Sequence, residues 1–103
     1  MKPPVAKRRS GKGWRVYLLR CRGGSLYAGL TNDLEHRLAM HAAGRGSRYT
    51  RSHLPVQLVW SRAVRNATAA RKLEARIKMM KKGEKEMMLS KDPGERKRKR
   101  EKG

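Results

Sequence analysis

Apolar residues first cluster in two short runs on either side of a glycine pair, Gly23-Gly24. In the first run, from Trp14 to Cys21, apolar side chains fall on both faces of an extended chain, which is typical of a central strand that is covered on both sides. The second run, from Leu26 to Leu30, is short and follows the glycines directly. The pattern therefore predicts a β-hairpin at the start of the fold.

The length of the turn decides which side chains share a face of this hairpin. A two-residue turn at the glycine pair would place Tyr17 and Tyr27 on opposite faces. A three-residue turn that begins at Arg22 pairs Tyr17 with Gly29 and puts both tyrosines on one face, roughly 7–8 Å apart as diagonal neighbours. Gly24 favours this longer turn, because a three-residue hairpin prefers glycine at its last, left-handed position. Since tyrosine is common in strands, the hairpin alone favours ordinary half-buried strand residues over a functional pair.

The rest of the pattern predicts one more strand and three helices. The first helix is expected from Asp33 to Ala43, because Asn32 and Glu35 have the spacing of a capping box and a glycine follows the helix. A basic loop, a third strand, a second helix with an apolar stripe and a short last helix are then expected over residues 44–55, 56–64, 67–80 and 84–90. The order β-β-α-β-α-α predicts an α+β fold, a small sheet with helices packed on it.

Charge adds a partner to this picture. The chain has 103 residues and a formal net charge of +20, from 28 Lys and Arg against 8 Asp and Glu. One domain with one modest core is expected at this length, and we assign it to residues 14–90. Residues 1–13 and 91–103 are predicted to be disordered basic tails. Because the domain itself holds an excess of basic residues, we expect it to bind a polyanion, and nucleic acid rather than a membrane surface.

Cysteine usage and the length of the apolar runs limit the remaining classes. Cys21 is the only cysteine, so an internal disulfide and a zinc site built on cysteine pairs are excluded. No apolar run approaches the roughly 20 residues that span a bilayer, and the basic N-terminal segment lacks the apolar core of a signal peptide. We therefore expect a cytoplasmic monomer without a membrane partner.

Three charged positions lie at the edges of the helical apolar stripes. Arg37 and His41 are one turn apart on the first helix, beside its stripe, where a cation is unusual unless an anion lies nearby. The alternative is an arginine that extends to solvent and a histidine at the rim of the core. Glu74 lies at the edge of the stripe on the second helix. It either pairs with Arg71 and Lys78 along the helix or supplies a carboxylate ligand for Mg²⁺.

Five features follow one another along the chain: "VYLL" (16–19), "YAG" (27–29), Arg37, His41 and Glu74. This ordered set resembles the GIY-YIG nuclease superfamily. The likeness covers most of the predicted domain and is strongest to small, single-domain bacterial members, through the segments YAGLTNDLEHRLAMH, GSRYTR, LPVQLVWS and AARKLEARIK. The resemblance implies a three-stranded antiparallel sheet flanked by helices, in agreement with the predicted order of elements.

The sequence departs from the family motifs at two places. Arg15-Val16 stands where the family name has Gly-Ile, and Ala28 stands where members often have isoleucine. Both motif tyrosines, Tyr17 and Tyr27, are nevertheless present. The residues that would carry the chemistry are therefore retained.

The resemblance also implies a role for each residue of the set. Glu74 would hold a single divalent metal ion, Mg²⁺ or a related cation. Tyr17 or Tyr27 would help to activate a water molecule, and the other would orient the water or contact the phosphate. Arg37 would stabilise charge on the phosphate in the transition state, and His41 would be an auxiliary base or a phosphate contact. Cations beside a tyrosine favour its phenolate form, so the roles depend on the residues lying together.

The basic loop is the expected grip on the substrate. Arg45, Arg48, Arg51 and His53 alternate there with small or polar residues, a pattern typical of phosphate contacts that carry no sequence information. Tyr49 either stacks on a base or closes the loop on the core, and we favour the second interpretation.

Three functions are compatible with these features. The first is a metal-dependent endonuclease that hydrolyses phosphodiester bonds, in DNA rather than RNA. The second is a DNA- or RNA-binding protein on the same fold without catalysis. The third is a structural protein, such as a ribosome-associated one, whose basic tails fold on RNA. The first interpretation requires Tyr17, Tyr27, Arg37 and Glu74 to converge on one pocket.

Overall fold

A three-stranded antiparallel sheet forms the centre of the molecule, in a computed structural model that describes residues 13–91. The middle strand, β1 (Trp14–Arg20), pairs with β2 (Leu26–Thr31) on one side and with β3 (Gln57–Val64) on the other. The predicted α+β class, the number of strands and their antiparallel pairing are all confirmed. β1 lies between the two outer strands and is buried on both faces, as its continuous apolar run predicted.

Four helices accompany the sheet: α1 (Leu34–Ala42), α2 (Arg48–Ser52), α3 (Ala67–Lys78) and α4 (Lys82–Lys91). The predicted order of strands and long helices is confirmed. The segment expected to be a basic loop contains α2, a single five-residue helical turn that begins at the cap residue Ser47.

The hairpin between β1 and β2 has the three-residue turn that the glycines predicted. Tyr17 pairs with Gly29 in the register of the two strands. The amide of Cys21 donates to the carbonyl of Ser25 at 2.9 Å, which closes the hairpin. Gly24 has a φ of +97°, in the left-handed region that favours glycine. Because the register follows from this turn, both tyrosines of the hairpin share one face.

The cap of α1 differs from the predicted one. Asn32 was expected to begin a capping box with Glu35, but Asp33 is the N-cap and its Oδ1 accepts from the amide of His36 at 3.2 Å. Both Asn32 and Asp33 have side chains that are able to cap a helix, so the sequence alone is compatible with a helix that begins after either residue. α3 begins in the same manner, since Asn66 accepts from the amide of Ala69 at 2.8 Å.

The two faces of the sheet bury different sets of residues. One face carries an apolar core that α3 covers, made of Val16, Leu18, Ala28, Trp60, Ala70 and Ile77. The other face carries Tyr17 and lies against α1, because the Tyr17 hydroxyl contacts the ring of His41. This separation leaves the α1–α2 side of the sheet for polar side chains.

A charged contact fastens α4 to the sheet. Arg20, at the end of β1, donates both of its terminal nitrogens to the Glu86 carboxylate, with Nη2 and Oε1 3.0 Å apart. Arg20 and a second cation, Lys82, hold the pKa of Glu86 well below its usual range, at about 2. The last helix is therefore anchored by charge as well as by Met88 and Leu89, which pack on the core.

The predictions for the two basic tails fall mostly on residues 1–12 and 92–103, which lie outside the described part of the chain. Within residues 13–91, no helix has the length and apolar character needed to cross a bilayer.

Candidate active site

Tyr17 lies across the backbone of β2 and reaches towards the outer edge of the sheet. The side chain is only 1% exposed. A Cβ atom built on Gly29 would lie 2.5 Å from Tyr17 Cζ and 2.9 Å from Cε1, so the ring occupies the space that any other residue at position 29 would fill. The glycine therefore sets the position of the Tyr17 hydroxyl.

His41, on α1, is completely buried and uses both ring nitrogens. Nε2 lies 2.9 Å from the Tyr17 hydroxyl, and Nδ1 lies 2.9 Å from Thr50 Oγ1 on α2. The Thr50 hydroxyl oxygen lies 3.0 Å from Ser47 Oγ and 3.3 Å from the Ser47 carbonyl. We infer that this hydroxyl donates to Ser47, so that its oxygen accepts from His41 Nδ1–H. This assigns the proton of the neutral ring to Nδ1, and the Tyr17 hydroxyl then donates to Nε2.

The electrostatic surroundings of His41 keep its ring neutral. Burial lowers the pKa of His41 below its ordinary value of 6.5, and the neighbouring positive charge of Arg37 lowers the pKa further. A neutral ring fits the chain of hydrogen bonds from Tyr17 to Thr50, because Nε2 must accept. With no exposed atom, His41 reaches the substrate only through Tyr17.

Tyr27 lies beside the same histidine but is bound less tightly. Its ring meets that of His41 edge to face, with centroids 5.5 Å apart, and is parallel to Tyr49 within 10° at 6.2 Å. The residue is half-buried, and its hydroxyl has no hydrogen-bond partner within residues 13–91. Of the two tyrosines, Tyr27 is therefore the one whose hydroxyl is not bound to another described side chain.

Arg37 is half-buried and held from one side. Its Nη2 donates to the carbonyl of Gly46 at 3.0 Å, and its guanidinium forms no ion pair with a carboxylate of residues 13–91. Gly46 also packs on His41, because a Cβ built there would lie 2.5 Å from the ring atoms Cγ and Cε1. The loop after α1 therefore orients the arginine and covers the histidine.

Glu74 joins the site from the opposite face of the sheet. Its side chain is 20% exposed and forms an ion pair with Lys78, with 3.5 Å between Oε2 and Nζ. The predicted pairing along the helix is thus present for Lys78. The carboxylate nevertheless lies close enough to Tyr17 for its charge to raise the pKa of that phenol.

The pKa of Tyr17 shows which groups surround its hydroxyl. Burial is the main cause and raises the pKa above its ordinary value of 10.0. The neighbouring Arg37 guanidinium opposes this rise in pKa, whereas Tyr27 and Glu74 add to it. Three of the predicted residues, Tyr27, Arg37 and Glu74, are therefore near enough to Tyr17 to influence the pKa of its phenol. The raised value shows that Arg37 alone does not offset the effect of burial.

The residues of the basic loop divide into two groups. The side chains of Arg45, Arg48 and Arg51 are exposed. Tyr49, 41% exposed, stacks with His53 at a centroid distance of 4.1 Å, and its hydroxyl lies 2.6 Å from Ser25 Oγ. The arginines are thus open to a ligand, while the two aromatic rings pack on each other and on the hairpin.

The donor set fits a metal ion only in part. No group of three or more His, Cys, Asp or Glu side chains converges anywhere between residues 13 and 91. Mg²⁺, however, is commonly held by one or two carboxylates together with substrate phosphates and water. Glu74 supplies one partly exposed carboxylate at the site, so the residues fit a single cation that is shared with a bound phosphate.

Two residues of the site were not predicted from the sequence. Thr50 holds His41 Nδ1, and Gly46 accepts from Arg37 and covers the histidine ring. Gly46 lies in a glycine-containing segment, and that pattern predicted a loop but no contact with His41 or Arg37. The short spacing from Ser47 to Thr50, which caps α2, is the one local signal that concerned Thr50.

A three-stranded sheet that carries a tyrosine pair beside a histidine and an arginine, with a glutamate within electrostatic range, is the arrangement that the resemblance to the GIY-YIG superfamily predicted. Residues 13–86 match the family model described as the GIY-YIG catalytic domain. The chain belongs to the GIY-YIG family.

Relatives of similar length support the assignment. A UPF0213 protein of Xanthomonas axonopodis pv. citri is 43% identical over 82 residues, which are 80% of this chain and 80% of that protein. A UPF0213 protein of Streptococcus pneumoniae is 43% identical over 75 residues, 73% of this chain and 76% of the relative.

A solved structure has the same fold. The solution NMR structure of the UPF0213 protein BH0048 from Bacillus halodurans is 34% identical in sequence and superposes with a TM-score of 0.54. The match covers 79% of this chain and 86% of that one. The resemblance predicted from the sequence, to small bacterial GIY-YIG proteins, is confirmed.

Proposed function

We propose that this protein is a metal-dependent endonuclease that hydrolyses phosphodiester bonds in DNA. One observation carries the proposal: the buried Tyr17 hydroxyl of β1 bonds His41 and is influenced by Arg37, Tyr27 and Glu74, residues from α1, β2 and α3. Membership of a family described by its catalytic domain supports the same reaction. A structural protein would have no need to hold these groups around one phenol.

Arg37 would bind the phosphate that is cut. The carbonyl of Gly46 holds one of its terminal nitrogens, and no carboxylate of residues 13–91 neutralises its charge. The remaining donors are able to form charge-assisted hydrogen bonds with phosphate oxygens. Because negative charge on these oxygens is stabilised by a fixed cation, Arg37 would lower the barrier rather than only bind the substrate.

Tyr17 would orient the attacking water and accept its proton. The hydroxyl of Tyr17 already donates to His41 Nε2, so its oxygen retains lone pairs for a water O–H. As the water attacks phosphorus, the P–O bond to the leaving nucleotide breaks and the leaving oxygen takes up a proton from solvent. The proton of the attacking water passes to the Tyr17 oxygen, and the phenolic proton passes to His41 Nε2. Thr50, bound to Nδ1, would keep the ring in the tautomer that accepts this proton.

Tyr27 would contact the phosphate or the water from the other side. Its hydroxyl has no partner among the described residues, and its ring is fixed between those of His41 and Tyr49. A hydrogen bond from Tyr27 to the substrate would therefore need little reorganisation of the site.

Glu74 would hold the divalent cation, Mg²⁺ or a related ion, together with the substrate phosphate. When bound, the cation would neutralise phosphate charge and make water easier to deprotonate. The positive charge would also favour the phenolate form of Tyr17, whose pKa burial raises.

Arg45, Arg48 and Arg51 would grip the flanking phosphates. They are exposed near the site, in a segment without acidic side chains. Tyr49 and His53 would support this segment by stacking on each other. Such contacts position a nucleic acid without reading its sequence.

The proposal is tested by cleavage of labelled DNA with Mg²⁺ by two variants that lose the same charge. Glu74→Gln should cut at least about 100-fold more slowly than the wild type, with unchanged DNA binding in EDTA. Glu84→Gln, on the exposed side of α4, should cut like the wild type. Equal cutting by Glu74→Gln and Glu84→Gln would rule out the metal site at Glu74.

A nucleic-acid-binding protein without catalysis is the second candidate. The raised pKa of Tyr17 favours it, because a firmly protonated phenol is a poor base. Tight, salt-dependent binding of DNA or RNA by the wild type, without cleavage in Mg²⁺ or Mn²⁺, would select this function.

A further inference from the structure

The outer surface of α3 carries cations that the proposed site does not use. Lys72 and Arg76 are exposed and lie on adjacent turns of the helix. At ~100° per residue they point some ~160° away from Glu74 around the helix axis. Arg65, exposed in the turn before α3, adds a positive charge ahead of the N-terminus of the helix. We call Lys72 and Arg76 the outer α3 pair.

These charges are not neutralised within the domain. The ion pairs of residues 13–91 involve Glu74 and Glu86, and neither Lys72 nor Arg76 takes part in one. Like charges four residues apart on a helix repel each other. An anionic partner would remove this repulsion.

The outer α3 pair faces away from the arginines of the proposed site. α3 covers the face of the sheet that carries Val16 and Leu18, whereas α1 and α2 lie on the face that carries Tyr17. One straight duplex bound at the α1–α2 side would therefore not reach the outer α3 pair.

We propose that the outer α3 pair binds a second phosphate backbone, so that one chain bridges two duplex segments. The inference rests on nucleic acid as the partner in the proposed function, but not on cleavage. A phosphate backbone fits better than an anionic membrane, because Thr68 and Ala75, the neighbours of the two cations on this face, are small. The exposed Met79, just after the helix, is by itself too little apolar surface to insert a helix face into a membrane. Exposed lysine and arginine side chains on a surface without acids are the usual contacts of DNA and RNA phosphates.

Bridging is measured in EDTA with two short blunt DNA duplexes that carry a donor and an acceptor dye. Energy transfer between them reports two duplexes on one particle, and light scattering gives the mass of that particle. The test variant, Lys72→Gln/Arg76→Gln, is compared with Lys81→Gln/Lys91→Gln, which removes two exposed lysines near and on α4. Circular dichroism checks that both variants are folded.

Bridging by the test variant should be at least about fivefold weaker than bridging by the wild type. The slope of log K against log [salt] for binding of the second duplex should become shallower by about 1.8, because two phosphate contacts are lost. The control variant should bridge like the wild type, with one chain for two duplexes. Equal bridging by all three proteins, or equal loss in both variants, would overturn the inference. A particle with two chains for two duplexes would also overturn the inference. So would a test variant that still bridges duplexes but no longer binds anionic lipid vesicles, because the outer α3 pair would then be a membrane contact.

The inference and the proposed function fail in different ways. Bridging by a wild-type protein that does not cut DNA would contradict the endonuclease proposal and leave the second backbone site standing. Metal-dependent cutting of a single duplex without bridging would support the endonuclease proposal and contradict the second backbone site.

Discussion

Thr50 has a larger role than its residue type suggests. Its hydroxyl accepts from His41 Nδ1 and donates to Ser47, so one buried side chain links α2 to the hydrogen bond between His41 and Tyr17. A threonine in a basic loop gives no such indication, because the contact depends on how α1 and α2 are placed in three dimensions. The pairing was therefore beyond what the sequence alone could predict.

Replacement of the Thr50 hydroxyl tests this link. Thr50→Val keeps the shape but leaves His41 Nδ1–H buried without an acceptor, so the free energy of unfolding should fall by about 1–3 kcal/mol. Single-turnover cleavage should slow as well, because the ring loses the contact that fixes its tautomer. Thr50→Ser should recover most of the free energy of unfolding, measured with urea, and most of the single-turnover cleavage rate. Valine and serine variants that behave alike would contradict the assignment.

His41 should make stability depend on pH. Its pKa is lowered from 6.5 by burial, so below that pH the unfolded chain takes up a proton that the folded protein does not. Stability is therefore complete above about pH 6.5 and falls as the pH drops towards the folded-state pKa, by at most ~1.4 kcal/mol per pH unit from this group.

Urea unfolding at about pH 7.5 and about pH 5.5 measures the effect. Glu86, with a pKa of about 2, titrates below this interval and does not contribute to the difference. His41→Gln should show a smaller loss of stability between the two pH values than the wild type. A loss of the same size in the variant would show that another group is responsible.

At the scale of the elements, the hairpin was predictable because its turn chemistry is local. The glycine pair selects a three-residue turn, the turn sets the register, and the register places Tyr17 opposite Gly29. α2, by contrast, has five residues, too few to show a helical period. Its cap, Ser47, resembles any loop serine until the helix is seen.

Gly29 tests whether the hairpin positions the site. In Gly29→Ala the new methyl group would overlap the Tyr17 ring, so we expect a loss of about 1–3 kcal/mol in the free energy of unfolding and a displaced hydroxyl. Gly83→Ala is the matched control, because a methyl group at that position on α4 would meet no atom within 4 Å. That variant should be as stable as the wild type, or up to about 1 kcal/mol more stable. Equal stability of the two variants in thermal unfolding would contradict the role of Gly29.

At the scale of the whole molecule, residues distant in sequence meet because the sheet is covered on both faces. α1 brings Arg37 and His41 to one face, while α3, on the other, carries Glu74 near enough to act on the phenol of Tyr17. The resemblance to the GIY-YIG superfamily had already identified these residues as candidates from the sequence. The positions of Thr50 and Gly46 depend on packing between helices, which no local pattern encodes.

The central claim is that Tyr17 and Glu74 act as one unit on the same phosphate. A double-mutant cycle on single-turnover DNA cleavage tests it most directly, with Tyr17→Phe, Glu74→Gln and the combined variant. Each single variant should cut at least about 100-fold more slowly than the wild type. The double variant should be no more than about tenfold slower than the slower single variant, because groups that act together are not additive. A double variant whose loss equals the product of the two single losses would contradict the claim.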